Sequence, residues 1–145
     1  MGPGGAVAQA EERPETAHRF AALEARRLLT AATRLPRARR LASASDIRRC
    51  LTHGRRRRLE HLDMIWMDNQ SGHPRMGLIV PKFQASAVAR NRLRRQLREV
   101  WRRDIQADQS AGDLLIRARR EAYAASFDTL RTQLLAWRDA VLRSR

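Results

Sequence analysis

The chain has 145 residues, a length that suits one compact domain with an extension. Its formal net charge is +15, and 29 of its 30 basic residues are arginine, with Lys82 as the single lysine. Such an excess of one sign favours a polyanionic partner, of which nucleic acid is the commonest. No apolar run reaches the roughly 18 residues of a membrane span, and no signal-peptide core is present. The lone Cys50 excludes an intrachain disulfide, and we expect a cytoplasmic protein.

The predicted organisation is an N-terminal extension over residues 1–34 and one domain over residues 35–145. The extension begins with a Gly-, Ala- and Pro-rich stretch that we expect to be partly disordered, and it continues with a segment of helix-forming composition. Ser43, followed by Asp46 three residues later, predicts a helix start at which the hydroxyl accepts from a first-turn amide. Gly54 is the predicted end of this helix.

Further elements follow from the spacing of apolar residues. Alternation predicts a strand over 59–67, and a second apolar strand is expected over 76–80. The strongest helix signal covers 87–103, a short strand is predicted over 114–118, and Ser126 begins a last helix. The order α-β-β-α-β-α predicts an α+β sandwich. The helix over 87–103 carries a core-facing stripe formed by Leu93, Leu97, Val100 and Trp101.

The basic residues gather in two stretches. From residue 34 to 58 there are ten arginines against one acid, and from 90 to 103 there are seven against one. The second stretch lies on the predicted helix, where crowding of like charge destabilises the helix unless phosphates neutralise it. We therefore predict a nucleic-acid surface there. The run Arg55–Arg58 has two open interpretations, a solvated turn or a flexible phosphate clamp. At 100° per residue, the side chains predicted to point away from the apolar stripe are Asn91, Arg95, Arg98 and Arg102, with Arg94 beside them.

Residues 87–103 resemble the signature of the bacterial ribonuclease P protein family. The preceding strand, residues 74–82, resembles that family's Arg-x-Gly-x-x-Val-x-Lys stretch, and residues 46–54 match its first helix more loosely. In order of elements the resemblance covers about residues 35–142. The family's triplet, basic pair and Arg-Glu dipeptide are matched by Arg90-Asn91-Arg92, Arg94-Arg95 and Arg98-Glu99.

The resemblance implies the protein subunit of an RNA-based endonuclease that removes the 5′ leader from precursor tRNA. The catalytic centre and its magnesium ions then belong to the RNA subunit. We therefore expect no catalytic residue, metal site or bound cofactor in this chain. The expected partners are ribonuclease P RNA and precursor tRNA, with no membrane and no required protein partner. The resemblance also implies a small mixed sheet with a left-handed β-α-β crossover, against the usual right-handed rule.

The resemblance further implies two RNA-contacting regions. The residues expected to bind RNA are Arg75, Lys82, Arg90, Asn91, Arg92, Arg94, Arg95, Arg98 and Arg102. A cleft between the first helix and the sheet is expected to hold the leader, lined by Arg40, Ile47, Arg48, Leu51 and Ile65. The basic clamp would comprise Arg55, Arg56, Arg57 and Arg58. Ile47, Leu51 and Ile65 occupy positions that are usually aromatic in the family, so leader contact would rely more on arginine and phosphate than on base stacking.

Two other classes of function stay open on the sequence. One is a non-enzymatic RNA-binding module, such as a ribosome-associated protein or a diverged paralogue that no longer supports catalysis. The other is a DNA-compacting basic protein, which would bind any duplex with similar affinity. The four histidines lack metal-ligand spacing, and Cys50 is predicted to be a small buried hydrophobe.

Overall fold

The structure, a computed structural model, describes residues 35–143. The predicted extension and its helix lie outside the described residues. No helix in the described part of the chain is long and apolar enough to cross a membrane. The three α-helices are α1 (Ala44–His53), α2 (Ala87–Val100) and α3 (Phe127–Val141). The four strands are β1 (Arg55–Arg58), β2 (Leu62–Asp68), β3 (Arg75–Ile79) and β4 (Gly112–Ala118).

The strands form one mixed sheet in the order β1-β2-β4-β3. The pairs β1–β2 and β2–β4 are antiparallel, whereas β3 and β4 are parallel. Parallel neighbours need a long connection, and α2 lies in the segment that joins β3 to β4. The predicted α+β fold with a small mixed sheet is confirmed.

The larger core lies between one face of the sheet and the helices α2 and α3. The four residues of the predicted α2 stripe are at most 3% exposed, so the stripe is confirmed. Trp66 of β2 packs edge to face on Trp137 of α3, with ring centroids 5.4 Å apart. The indole N–H of Trp101 donates to Gln109 Oε1 at 2.9 Å, which satisfies a polar group inside this core.

A smaller core lies on the opposite face of the sheet, beneath α1. It comprises Leu41, Cys50, Ile65 and Leu115, with Ile47 packed partly buried at its margin. Burial raises the pKa of the Cys50 thiol to about 11. The side chain is therefore an unionised apolar group at neutral pH, as the sequence predicted.

Two local predictions were wrong. Ser43 does precede α1, but its hydroxyl lies 2.8 Å from the Ser45 hydroxyl and caps no helical amide. Residues Arg55–Arg58 form a strand and neither a turn nor a flexible segment, because they pair with β2 along their whole length; their expected contact with phosphates stays a prediction. All four arginines are exposed. Charged side chains on an edge strand are a common device against pairing with other chains, so this position suits them.

Candidate nucleic-acid interface

The α2 residues that were expected to bind RNA, and Arg102 just after the helix, differ in how far they are exposed to solvent. The start of α2 is set by Ser86, whose Oγ accepts a hydrogen bond from Ala89 N–H at 3.1 Å. The exposed members are Asn91, Arg92 and Arg95, whereas the half-buried members are Arg90, Arg94, Arg98 and Arg102. Arg98 and Arg102, which the spacing predicts to point away from the apolar stripe, are thus less exposed than Arg95. After Val100 the backbone widens into a π-helical turn, so Arg102 no longer follows the 100° spacing that placed it.

Three arginines meet at one flank of α2. Arg40, Arg94 and Arg98 line a cavity of about 200 Å³, and among residues 35–143 no acidic residue lines it. The pKa of Arg98 is lowered, first because burial penalises its charge and then because Arg40 and Arg94 repel it. The three positive charges therefore oppose one another in the free chain, and an anion bound here would relieve that repulsion.

Close packing of two backbones brings Arg40 to this cavity. Leu41 N–H donates to Met76 O at 3.1 Å, and Arg40 forms an isolated parallel bridge with Met76. A Cβ on Gly77 would lie 2.6 Å from Leu41 O. Any side chain at position 77 would clash with this backbone, so only glycine lets the segment before α1 lie against β3. This close contact explains why the Arg-x-Gly stretch carries a glycine.

Arg75 differs from the other basic residues that were expected to bind RNA. Its Nε and Nη2 donate to the two carboxylate oxygens of Asp113 at 2.8 Å each, and its Nη1 donates to Asp46 Oδ2 at 3.2 Å. The Asp113 side chain is only 3% exposed. The hydrogen bond with Asp113 is the main reason why the pKa of Arg75 is raised. Three of its five N–H groups thus donate hydrogen bonds within the protein. We therefore interpret Arg75 as a structural residue that holds α1, β3 and β4 together.

A larger cleft of about 520 Å³ opens beside the sheet. Its floor includes a row of three cross-strand neighbours, Arg58 of β1, Asp63 of β2 and Arg117 of β4. Arg119 and Arg120, which follow β4, and Phe83, which follows β3, also line it, together with Arg56 and Arg57 of β1 and a second acidic residue, Glu121. Sequence reasoning named neither Phe83 nor the three arginines at and after the end of β4, since no periodic pattern marks loop residues that meet only in the fold.

Phe83 is held in an unusual backbone conformation. Both Phe83 and Gln84 have positive φ angles, 40° and 66°, a region that residues other than glycine rarely occupy. The hydroxyl of Tyr123 donates to Pro81 O and anchors the start of this loop. The Arg120 guanidinium lies over the Phe83 ring at 5.5 Å from the centroid, and Phe83 remains 39% exposed. Strain of this kind concentrates at binding sites, so Phe83 is a candidate platform for an unpaired base.

The residues of the predicted leader cleft do not surround one cavity. Arg40 and Ile47 line the smaller cavity beside α2, whereas Ile65 lies on the floor of the larger cleft and is only 2% exposed. Leu51 packs partly buried against the smaller core, and Arg48 is exposed on α1. The exposed Lys82 directly precedes Phe83. Of the predicted clamp, Arg56, Arg57 and Arg58 line the larger cleft.

Comparison with known proteins places the chain in a family. The sequence model of the Ribonuclease P family matches residues 35–141. The chain belongs to this family. The ribonuclease P protein component of Clostridioides difficile is 32% identical over 88 residues, which cover 60% of this chain and 77% of that protein. The component of Syntrophobacter fumaroxidans is 38% identical over 63 residues, which cover 43% of this chain and 53% of that protein. This chain therefore spans about half the length of several curated relatives that it matches.

Solved structures of ribonuclease P proteins share the fold. The Staphylococcus aureus protein superposes with a TM-score of 0.66 at 23% identity, over 72% of this chain and 96% of that one. The Thermotoga maritima protein gives a TM-score of 0.64 at 24% identity, over 70% and 96% of the two chains. The α2 helix, the three-arginine cavity and the larger cleft all lie within the part of the chain that the ribonuclease P family model covers.

Proposed function

We propose that this chain is the protein subunit of ribonuclease P, which assists a catalytic RNA in removing the 5′ leader of precursor tRNA. The observation that carries the proposal is the cavity formed by Arg40, Arg94 and Arg98 beside the Arg-Asn-Arg motif, which no acidic residue of the described part of the chain lines. Uncompensated, partly buried arginines are stabilised by phosphate oxygens, which match the guanidinium fork. Membership of the Ribonuclease P family makes the catalytic RNA the expected donor of those phosphates.

In this proposal the hydrolysis is catalysed by the RNA subunit and not by the residues of this chain. Arginine is an unsuitable general base because it stays protonated at physiological pH. The residues of this chain would bind and orient RNA strands, while magnesium ions held by the RNA subunit would supply the hydrolytic chemistry. We place the complex in the cytoplasm, a reducing compartment that suits a chain whose single cysteine is buried.

We further propose that the larger cleft holds the leader. Leader nucleotides are unpaired, so their bases are free to stack on an aromatic ring while arginines hold the backbone phosphates. Phe83 supplies the ring, and Arg58, Arg117 and Arg119 supply charge around it. This assignment replaces the aliphatic set expected from the sequence, in which Ile65 is almost fully buried.

The deciding experiment is reconstitution. The purified chain is mixed with a bacterial ribonuclease P RNA, and cleavage of precursor tRNA is followed at a magnesium concentration too low for the RNA alone. We expect the chain to restore cleavage. RNA binding without any stimulation of cleavage would instead favour the non-enzymatic RNA-binding module, and equal competition by excess duplex DNA would favour the DNA-compacting protein.

Phe83→Ala tests the leader assignment in the same assay. Loss of one base stack costs about 1–3 kcal/mol, so precursor tRNA should bind the reconstituted enzyme roughly 5- to 150-fold more weakly. Mature tRNA, which has no leader, is the matched control and should bind as before. Equal weakening of both substrates would place Phe83 outside the leader path.

A further inference from the structure

Among the described residues two carboxylates line the larger cleft, the exposed Glu121 and the half-buried Asp63, and the other features of the cleft do not explain Asp63. Asp63 lies in β2 directly between Arg58 of β1 and Arg117 of β4. Within residues 35–143 its side chain forms no ion pair within 4.0 Å and no hydrogen bond, although arginines are its cross-strand neighbours on both sides. The side chain is half-buried and lines the cleft. Its acceptor oxygens are therefore available to whatever the cleft binds.

A carboxylate at this place is unsuited to a phosphate. It repels the backbone charge that the neighbouring arginines attract, and it can only accept hydrogen bonds. The groups of RNA that donate are the base edges and the ribose hydroxyls. Because Phe83 lines the same cleft and can stack a base, a stacked base would bring hydrogen-bond donors into the space that Asp63 also lines, while Arg58 and Arg117 remain for the flanking phosphates.

The Watson–Crick edges of the four bases differ in what they offer to a carboxylate. Guanine presents two adjacent donors, N1–H and the N2 amino group, which match two carboxylate oxygens. Adenine and cytosine present one amino group next to a ring nitrogen that accepts, and uracil presents one N–H between two carbonyls. In a single strand these edges are free to be read.

We propose that Asp63 makes the cleft selective for guanine in the single-stranded RNA that it holds. The inference rests on the proposed role of the cleft and adds a base preference to it. The simpler role for Asp63 is to reduce the repulsion between Arg58 and Arg117 across the sheet. That role predicts the same effect of an Asp63 substitution on every RNA sequence, whereas recognition of guanine predicts an effect that depends on the base.

The test measures binding of single-stranded RNAs of about eight nucleotides, within the range that such clefts cover. Fluorescence anisotropy with the purified full chain compares an oligouridine with versions that carry one guanine, inosine, adenine or cytosine. We expect guanine to bind about tenfold more tightly than uracil, a size usual for a well-made pair of hydrogen bonds to a base. Inosine, which lacks the N2 amino group, should fall between the two.

Asp63→Asn gives the sharpest outcome, because an amide offers one acceptor and one donor. Every base carries an adjacent donor and acceptor on its Watson–Crick edge that an amide can pair with, so the preference for guanine over adenine and the other bases should disappear. Asp63→Ala should prefer neither guanine nor adenine. The melting temperatures of both variants are measured to check that they fold. Glu60→Gln is the matched control, since it removes one exposed carboxylate from the β1–β2 connection outside the cleft lining. Its base preference should equal that of the wild type.

The outcomes separate this inference from the proposed function. If all oligonucleotides bind the wild type equally, or if Asp63→Asn keeps the guanine preference, the inference is overturned while the cleft remains an RNA site. If no oligonucleotide binds while the reconstituted enzyme still cleaves precursor tRNA, the leader path lies elsewhere and the inference falls with it.

Discussion

The cavity formed by Arg40, Arg94 and Arg98 makes a quantitative prediction about salt dependence. Replacing Arg94 and Arg98 together by alanine removes two of its three charges but leaves the buried apolar stripe of α2 untouched. In the free chain the change should not destabilise the fold and should raise its melting temperature slightly, because the burial penalty and the repulsion that lower the pKa of Arg98 disappear. RNA binding should weaken.

The magnitude follows from counterion release. Each phosphate contact contributes about 0.7–0.9 to the slope of log affinity against log salt, so two lost contacts should make the slope shallower by about 1.4–1.8. Between about 50 and 200 mM salt, the wild type should then lose roughly seven- to twelvefold more affinity than the double variant.

The assay is a titration of ribonuclease P RNA with the chain at several salt concentrations. The matched control is Arg131→Ala with Arg143→Ala, which removes the same number of charges from arginines that already pair with Asp104 and Asp108. Its slope should stay close to that of the wild type. Equal changes in both double variants would show that only net charge matters, and an unchanged slope for the α2 variant would remove the cavity from the RNA interface.

Four further predictions concern the fold and the cleft margin. Asp113→Ala should lower the free energy of unfolding by about 1–3 kcal/mol in denaturant titrations, because Arg75 loses two of its three hydrogen bonds and keeps only the one with Asp46; an unchanged free energy of unfolding would contradict this. Leu97→Ala should cost about 2–5 kcal/mol, since the side chain is 0% exposed, and an unmoved melting curve would contradict its burial. Cys50 should react slowly with an alkylating agent at pH 8 and rapidly in denaturant. Because the folded thiol has the higher pKa, stability should also fall as the pH rises from about 9 towards 11. Ile47→Phe should leave the preference for precursor over mature tRNA unchanged, because Ile47 lines the smaller cavity and not the larger cleft, whereas a selective gain for the precursor of about 1 kcal/mol would place the leader beside α1.

The sequence alone determined the features that depend on local periodicity. The stripe of α2, the start of α3 at Ser126 and the class of the fold follow from spacings of three or four residues in helices and of two in strands. The spacing of apolar residues depends on which side chains of one helix or strand are buried. Since these side chains lie a few positions apart, the spacing is visible in the sequence. The Arg-Asn-Arg motif could be placed in a family for a similar reason, because its residues lie together on one helix.

Only the tertiary structure decided what each charged residue does. Arg75 meets Asp113 from 38 positions away, and no local pattern distinguishes this paired arginine from Arg98, which has no ion pair with any described residue. The tetra-arginine run became an edge strand because β2 offers it hydrogen bonds, not because arginine favours strands. A charge acts on all neighbours within several ångströms, whichever part of the chain they come from, and its role is therefore settled only when the chain has folded around it.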